Sequence, residues 1–286
     1  MAVSPRLIRR RIKSVTNTRK ITKAMELVAA SKMRKAVSAV LASRPYADAA
    51  WRAVGELAQV TDASHHPLLA RRAEVKRALV VLFSSDRGLC GGFNAQMLKV
   101  LADFMKTAPE RVDFVTVGRK GQDALKRQGM KIAATFTDLA NNPKSTGIRP
   151  IADLAITDFI GGVYDRVYIA TTDYRTALVQ KPVIHELLPI AKITAERQET
   201  GHEFVFEPSA AAVLDRMLPR LVEVQLYQAL LESSASEHSA RMLAMRSASD
   251  AASDMIDDLT FTFNQARQAG ITREIAEISS GKAALE

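Results

Sequence analysis

The chain has 286 residues, of which 47% are hydrophobic and 25% are charged, a length and composition typical of a globular protein with one or two domains. No apolar run approaches the roughly 18 residues needed to cross a bilayer, which argues against an integral membrane protein. The single cysteine excludes an internal disulfide and a cysteine-based zinc site, and suits a reducing compartment. The net charge is +9, but residues 1–44 contain twelve basic side chains against one acid, Glu26. We expect this segment to face nucleic acid, a lipid surface or an acidic protein.

The N-terminal segment is predicted to form one helix of about 55 residues. Ser4 and Pro5 suit the N-cap and the first helical position, and Pro45 is the only further proline before Val54. Apolar residues recur at alternating steps of three and four, which predicts a seam that packs against another helix. The seam positions are Ile8, Ile12, Val15, Ala29, Met33, Ala36, Val40, Ala47, Ala50, Val54 and Leu57, and Arg19, Thr22, Glu26 and Ser43 interrupt the apolar register.

Residues 75–195 show a different pattern, in which short apolar runs alternate with amphipathic segments. The predicted strands are residues 76–84, 112–117, 130–136 and 167–172, with a further edge strand around residues 178–184. The predicted helices are residues 94–106, 121–128 and 151–164, the predicted loop is residues 141–147, and the predicted connections are residues 65–67 and 198–207. This alternation predicts a Rossmann-like, parallel α/β domain.

The segment 208–286 repeats the helical pattern more strictly. No glycine lies between Gly201 and Gly270, and the steps of three and four continue without a slip, which is typical of a coiled coil. Pro219 is expected to kink the first turns. The seam positions are Leu214, Met217, Leu221, Val224, Gln228, Leu231, Ala235, His238, Met242, Met245, Ser249, Ala252, Ile256, Leu259, Phe263 and Ala266.

The two seams determine the predicted architecture, because neither helix is hydrophobic all round and each needs a partner. We predict an α/β fold with a long coiled coil, in which residues 1–60 and 208–286 form an antiparallel helix pair and residues 75–195 form the inserted α/β domain. If it is helical throughout, the C-terminal segment outruns its partner and continues as a single helix.

Motifs for catalysis or cofactor binding are weak. Residues 84–94 form a glycine-rich turn between a strand and a helix, but its G-x-x-G-G spacing matches neither a dinucleotide fingerprint nor a Walker loop, so we interpret it as a structural turn or a partner contact. His238 occupies a seam position, which suggests a register-setting role. Cys90 lies three residues from Arg87, and we interpret it as a packed thiol. No catalytic, cofactor-binding or metal-binding residue is predicted.

The cations of the first helix form what we call the basic stripe. At about 100° per residue they fall within a band about 100° wide that contains no acid, and like charges repel unless a partner neutralises them. The stripe consists of Arg6, Arg9, Lys13, Lys20, Lys23 and Arg34.

Two classes of function fit these features: a stiff coiled-coil shaft inserted into a partner, or a nucleic-acid binder that grips phosphates. We favour the shaft, because seam and stripe share the same residues and no stacking aromatic precedes Tyr46. An arginine-rich, acid-poor N-terminus also fits a mitochondrial transit peptide.

Several stretches resemble the gamma subunits of F-type ATP synthases: residues 12–25 continuing to 30–35, residues 84–94, residues 236–245, and residues 271–277 followed by Gly281. The resemblance runs from end to end, and it departs from the family at Lys282, where a second small residue is usual. Because it begins almost at Met1, it argues against a transit peptide. The family that it resembles is the bacterial gamma subunit, with a proteobacterial source expected and a bacterial chain favoured over an organellar one.

The resemblance implies the central rotor shaft of a proton-translocating F-type ATP synthase. Such a subunit couples rotation of the membrane ring to ATP synthesis or hydrolysis at the catalytic head and is itself non-catalytic, with no cofactor. The implied partners are the alpha and beta subunits of the head, the epsilon subunit, the membrane c-ring and an inhibitory subunit, and no nucleic acid. The implied location is peripheral, on the cytoplasmic face of the bacterial inner membrane, with the matrix side of the mitochondrial inner membrane as the alternative.

The resemblance also implies three groups of partner contacts. Those with an acidic lever of the beta subunit are Arg9, Lys13, Lys20, Lys23, Met25, Asp86, Arg87 and Cys90. Those with an upper loop of the beta subunit are Arg267, Gln268, Thr272 and Glu274. Those with the membrane ring are Phe204, Phe206 and Glu207.

Overall fold

A computed structural model describes residues 4–60, 66–72, 74–108, 111–141, 143–190, 207 and 209–283. The elements in chain order are α1 (Pro5–Val60), β1 (Arg77–Phe83), α2 (Phe93–Met105), β2 (Arg111–Val117), α3 (Arg119–Arg127), β3 (Ile132–Phe136), α4 (Ser145–Ile160), β4 (Arg166–Tyr174), β5 (Gln180–Leu188) and α5 (Ala210–Ala283). Within the described residues, no helix is long and apolar enough to cross a membrane.

The chain divides into two compact units. The α/β unit is Ala30–Arg241, and the helical unit combines Met1–Ala29 with Met242–Glu286. Both α1 and α5 contribute residues to each unit.

The α/β unit is built on a five-stranded sheet in the order β3-β2-β1-β4-β5. The first four strands are parallel, and β5 is antiparallel to β4. The predicted Rossmann-like, parallel α/β fold is therefore confirmed, with one antiparallel edge strand. Residues 78–82 of β1 are 0% exposed because helices cover both faces of a parallel sheet, which explains why this strand reads as an unbroken apolar run.

Each face of the sheet has its own core. On one face, Met97 and Leu101 of α2 and Leu125 of α3 pack against alternate residues of β1. On the other face, α4 and the first part of α5 pack against the intervening residues of β1, and Val54 of α1 joins this cluster. The face occupied by α5 thus ties the sheet to a long helix.

Helix α4 differs from its prediction at both ends. It begins at Ser145, so the last three residues of the predicted loop 141–147 form its first turn. It ends at Ile160 rather than at Tyr164, because Gly162 adopts a φ of +77° in the left-handed region that ends helices.

Within the α/β unit, α1 and α5 pack together as the seams predict. Ala36 and Val40 of α1 form a cluster with Leu231 and Ala235 of α5. Nearby, the Oγ of Ser43 donates a 2.7 Å hydrogen bond to the Oε1 of Gln228. Residue numbers rise along α1 as they fall along α5, so the pairing here is antiparallel.

The helical unit shows the same antiparallel order by itself. The guanidinium of Arg9 lies 5.2 Å from the ring centroid of Phe263, and the Nη1 of Arg19 donates to the Oγ of Ser253 at 3.4 Å. Along α5, every predicted seam position from Leu214 to Ala266 is buried or half-buried. Residues 271–280 are exposed on all sides of the helix, as expected for a helix that outruns its partner.

Candidate functional site

The basic stripe is exposed along α1 beside the buried seam. Arg9, Lys13, Lys20 and Lys23 all face solvent, whereas Met25 is half-buried. The Nζ of Lys23 lies 2.9 Å from the Oε2 of Glu26, so one cation of the stripe has a partner within the helix.

Other stripe cations of the helical unit have no such partner. Among the residues that the structure describes, no carboxylate lies within 4.0 Å of Arg6, Lys13 or Lys20. Lys20 and Lys23 also line an open recess of about 590 Å³ together with Asp250 of α5. An excess of positive charge around an open recess is suited to an acidic side chain of a partner.

The end of α5 forms a second exposed surface. Arg267, Gln268, Thr272 and Glu274 are all exposed, and the Thr272 hydroxyl donates to the carbonyl of Gln268 at 3.0 Å.

An apolar stripe at this end of α5 was missed by the sequence interpretation. Ile271, Ile275 and Ile278 are 49%, 59% and 74% exposed, and their spacing of four and three residues places them on one face of the helix. The spacing of these three isoleucines is visible in the sequence. They lie beyond Ala266, the last predicted seam position, and were therefore not singled out. Three exposed isoleucines on one face form an apolar surface of the kind that proteins use to bind partners.

The glycine-rich turn, residues 84–94, presents only some of its predicted contact residues. Arg87 is exposed, but Cys90 is buried at 3% exposure, so its side chain lies inside the turn. The carboxylate of Asp86 accepts hydrogen bonds from the backbone N–H groups of Arg119 (3.2 Å) and Asp138 (2.9 Å). Asp86 therefore braces the turn with both of its oxygens.

The interior of this turn is filled by its own polar groups. The backbone N–H of Ser85 donates to the Oδ1 of Asn94 at 3.1 Å, and the Nδ2 of Asn94 donates to the Oγ of Ser85 at 2.7 Å and to the Sγ of Cys90 at 3.3 Å. The Oγ of Ser85 in turn donates to the carbonyl of Arg87 at 2.8 Å. These groups are engaged with one another, which favours the structural interpretation of the turn over a phosphate site.

Leu89 is a residue of the turn that the sequence did not single out. Its side chain is 60% exposed, and its φ is +62°, a left-handed conformation that is unfavourable for a branched apolar residue. The backbone conformation, which a sequence does not display, is what turns this leucine outward.

Within the α/β unit, a collar of hydroxyl groups fixes the first part of α5 to the sheet and its loops. Three buried serines of α5 each donate to a carbonyl of a neighbouring loop or strand: Ser234 to Ala140 (2.9 Å), Ser236 to Thr172 (3.1 Å) and Ser239 to Ala177 (2.7 Å). In the opposite direction, Thr171 donates to the carbonyl of Ala229 at 3.1 Å. Small side chains bring the backbones close, and buried hydrogen bonds fix their relative position.

His238 lies in the seam at 4% exposure. Burial, assisted by the positive charges of Arg241 and Lys32, lowers its pKa to about 4, so the imidazole is neutral at physiological pH. Among the described residues, no group of three or more potential ligands could hold a metal ion.

The predicted contacts with the membrane ring are largely outside the described part of the chain. Phe204 and Phe206 lie outside the described residues, whereas Glu207 is described and exposed. Most of the predicted connection 198–207, and His65 of the other predicted connection, also lie outside the described residues. These three contacts, like those of the other two groups, stay predictions.

Comparison with known proteins gives a consistent set of similarities. A family model described as ATP synthase matches residues 4–285. The ATP synthase gamma chain of Pelotomaculum thermopropionicum is 46% identical over 283 residues, covering 99% of each chain. The ATP synthase gamma chain of Chloroflexus aurantiacus is 45% identical over 287 residues, also covering 99% of each chain.

Solved structures agree at the level of the fold. A chain in the central stalk and c-ring structure of the Tetrahymena thermophila mitochondrial ATP synthase is 28% identical, with a TM-score of 0.62, covering 80% of this chain and 99% of that one. A chain in the OSCP, F1 and c-ring structure of the Euglena gracilis mitochondrial ATP synthase has a TM-score of 0.69 at 18% identity, covering 98% of this chain and 94% of that one. The second similarity supports the fold alone.

Proposed function

The chain belongs to the ATP synthase gamma chain family, and from that premise we propose that it is the central rotor shaft of a proton-translocating F-type ATP synthase. In this role it couples rotation of the membrane ring to ATP synthesis or hydrolysis at the alpha and beta subunits of the catalytic head. It carries torque and performs no chemistry itself.

The observation that carries the proposal is the buried seam between α1 and α5. Two helices that interlock along a seam resist twisting better than one, which is what a shaft requires. The hydroxyl collar also suits a shaft. The hydrogen bonds from Ser236 and Ser239 to neighbouring carbonyls fix α5 to the sheet and loops of the α/β unit, so that a torque on the sheet is passed to the helix. Beyond the seam, the exposed stripe of Ile271, Ile275 and Ile278 suits contact with a smooth apolar surface of the catalytic head that surrounds the end of α5.

The charges of the chain support the choice of partners. A shaft that turns past several identical subunits cannot use one deep interlock, and it is better served by exposed charges that pair with each subunit in turn. The basic stripe suits an acidic lever of the beta subunit, and Arg267 and Glu274 suit polar groups of a beta-subunit loop. The epsilon subunit, the c-ring and an inhibitory subunit complete the proposed set, with the chain held peripherally at the cytoplasmic face of the bacterial inner membrane.

The test replaces the stripe residues Arg9, Lys13, Lys20 and Lys23 with glutamine and measures assembly with alpha and beta subunits. Gln is a good helix former, so circular dichroism should show an intact fold. Binding to the head should weaken by roughly 2–4 kcal/mol, because partly desolvated pairs are worth more than exposed ones. The parent contact should also weaken with salt, and the variant's much less so.

A matched control variant removes the same number of positive charges, four, from a different part of the chain. Lys99, Lys106, Lys126 and Lys144 are exposed in the α/β unit, and replacing all four with glutamine should leave binding to the head nearly unchanged. Equal binding of the stripe variant and the parent at low salt would show that the stripe is merely solvated. A salt-steep affinity of the parent for DNA or RNA, with no co-purification of alpha and beta subunits, would favour the nucleic-acid alternative instead.

A further inference from the structure

The side chain of Arg241 on α5 reaches across to the glycine-rich turn. Its Nε and Nη2 both lie 3.4 Å from the carbonyl oxygen of Gly88, and its Nη2 lies 3.3 Å from the carbonyl oxygen of Arg87. The same guanidinium contacts the Oε1 of Glu237 at 2.7 Å and the Nδ1 of His238 at 3.3 Å. Its donors are thus directed into the protein, and the side chain is only 12% exposed.

Glu237 fixes the orientation of this guanidinium. The two residues lie one helical turn apart on α5, and the Glu237 side chain is 8% exposed. Burial raises the pKa of Glu237, while the adjacent Arg241 guanidinium opposes that rise. A planar guanidinium held by a buried carboxylate can present its remaining donors in a fixed direction. Two successive carbonyls of the turn lie in that direction.

The rest of the turn is anchored by other groups. Asp86 accepts from two backbone N–H groups, and Ser85 and Asn94 bond each other. Between these anchors lies what we call the turn tip, residues Arg87, Gly88 and Leu89. The Ser85 hydroxyl donates to the tip carbonyl of Arg87 from within the turn, and Arg241 of α5 contacts the carbonyls of Arg87 and Gly88 from outside it. Directly after these two carbonyls the chain enters the left-handed conformation of Leu89, with φ +62°.

We propose that Arg241 is a positioning residue, which holds the turn tip so that Leu89 and Arg87 face an acidic surface of a partner protein. An exposed leucine next to an exposed arginine fits a partner surface with an apolar recess and a carboxylate at its rim. A tip already held in its bound conformation loses less freedom on binding than a loose one. The proposal deepens the proposed function and rests on it, because the partner would belong to the catalytic head.

The variants are chosen to separate positioning from contact. Arg241→Gln removes the clamp, and Arg241→Lys retains the charge but cannot span two carbonyls and a carboxylate with one ammonium. Leu89→Ala removes the exposed side chain. Arg216→Gln is the matched control, since Arg216 is an exposed arginine on the same helix in the same unit.

The first measurement is the NMR order parameter of the backbone N–H groups of residues 87–91 in the full chain. Arg241→Gln should lower it from the value of a rigid backbone, about 0.85, to below about 0.6, because the tip loses the clamp while the sheet and helices stay ordered. Arg241→Lys should give a smaller decrease, and Arg216→Gln none. Order parameters at residues 87–91 that stay at the parent value in Arg241→Gln, or that fall equally throughout the chain, would overturn the proposal.

The second measurement is binding of the same variants to assembled alpha and beta subunits. Leu89→Ala and Arg241→Gln should each weaken binding about tenfold, as for truncation of an interface anchor. The double variant should be little weaker than either single one, because both act through the same contact. If the parent binds and the two losses simply add, or if Leu89→Ala binds like the parent, the positioning role is overturned while the shaft function stands. If the parent itself does not bind, the shaft function is overturned and the proposed partner with it.

Discussion

The buried pair formed by Tyr164 and Asp113 allows a sharp test of how charge and burial affect stability. The Tyr164 hydroxyl donates to the Oδ2 of Asp113 at 3.1 Å, and that oxygen also accepts from Arg77 (3.1 Å) and Lys131 (2.9 Å). Burial, with the negative charge of Asp113 as the next cause, raises the pKa of Tyr164 to about 12. For Asp113, burial acts to raise the pKa, but the bonds from Lys131, Tyr164 and Arg77 outweigh it and hold the pKa below its ordinary value.

The size of the effect follows from the raised pKa of Tyr164. The folded protein holds the phenolic proton more tightly than the unfolded chain, whose tyrosines ionise near pH 10. The stabilisation is therefore fully present below about pH 10 and is lost as the pH rises toward 12. A tenfold change in proton affinity corresponds to about 1.36 kcal/mol, so the loss reaches about 2 kcal/mol at pH 12. Asp113 acts at the acidic end of the pH range. Because its pKa is lowered in the folded protein, its contribution to the free energy of unfolding is present at neutral pH and is lost only as the pH falls below the ordinary aspartate range.

The perturbation is Tyr164→Phe, assayed by urea unfolding followed by circular dichroism at pH 8, 10, 11 and 12. The variant keeps the ring and cannot ionise, so at pH 8 it should be about 1 kcal/mol less stable than the parent through loss of one buried hydrogen bond. Titrations common to both chains cancel in the difference, which should shrink above pH 10 and reverse sign before pH 12.

Phe83→Leu is the control, since Phe83 is buried at 1% exposure and neither side chain can ionise, so its difference from the parent should stay constant over the same range. A difference between Tyr164→Phe and the parent that stays equally constant would refute the reasoning, because it would show that ionisation of Tyr164 costs the folded state nothing.

Two further predictions concern the backbone and the collar. A Cβ on Gly118, whose φ is +102°, would lie 2.1 Å from the carbonyl oxygen of Ser84, so Gly118→Ala should lower the free energy of unfolding by at least about 3 kcal/mol. Gly129→Ala, at φ +69° but in open space, should cost only about 1 kcal/mol, and equal losses in urea unfolding would contradict the steric argument. Ser236→Ala should cost roughly 1–2 kcal/mol, because it leaves the carbonyl of Thr172 without its buried donor; a change below about 0.5 kcal/mol in the same assay would mean that the collar adds little.

The sequence by itself determined the long helices and the strands. Alternating steps of three and four residues are a local property of the chain, and they identified the seam from Leu214 to Ala266, where every position is buried or half-buried. The apolar run of residues 76–84 likewise predicted the strand that the structure shows as β1, and its burial on both faces explains why it omits polar residues. The family was also identified from local features, because each motif is a contiguous stretch of the chain. These stretches are residues 12–25, 30–35, 84–94, 236–245 and 271–277.

The tertiary structure alone decided which distant groups meet. The strand order and the reversed direction of β5 depend on how connections pack. The contact of Arg241 with Gly88 joins residues 153 positions apart. The outward direction of Leu89 depends on one backbone angle, and the inward direction of Cys90 depends on the polar network inside the turn. Periodicity records which residues are buried, because burial repeats with the geometry of each element. It carries no record of which buried groups satisfy one another, because hydrogen-bond partners are chosen by packing between elements that are far apart in the chain.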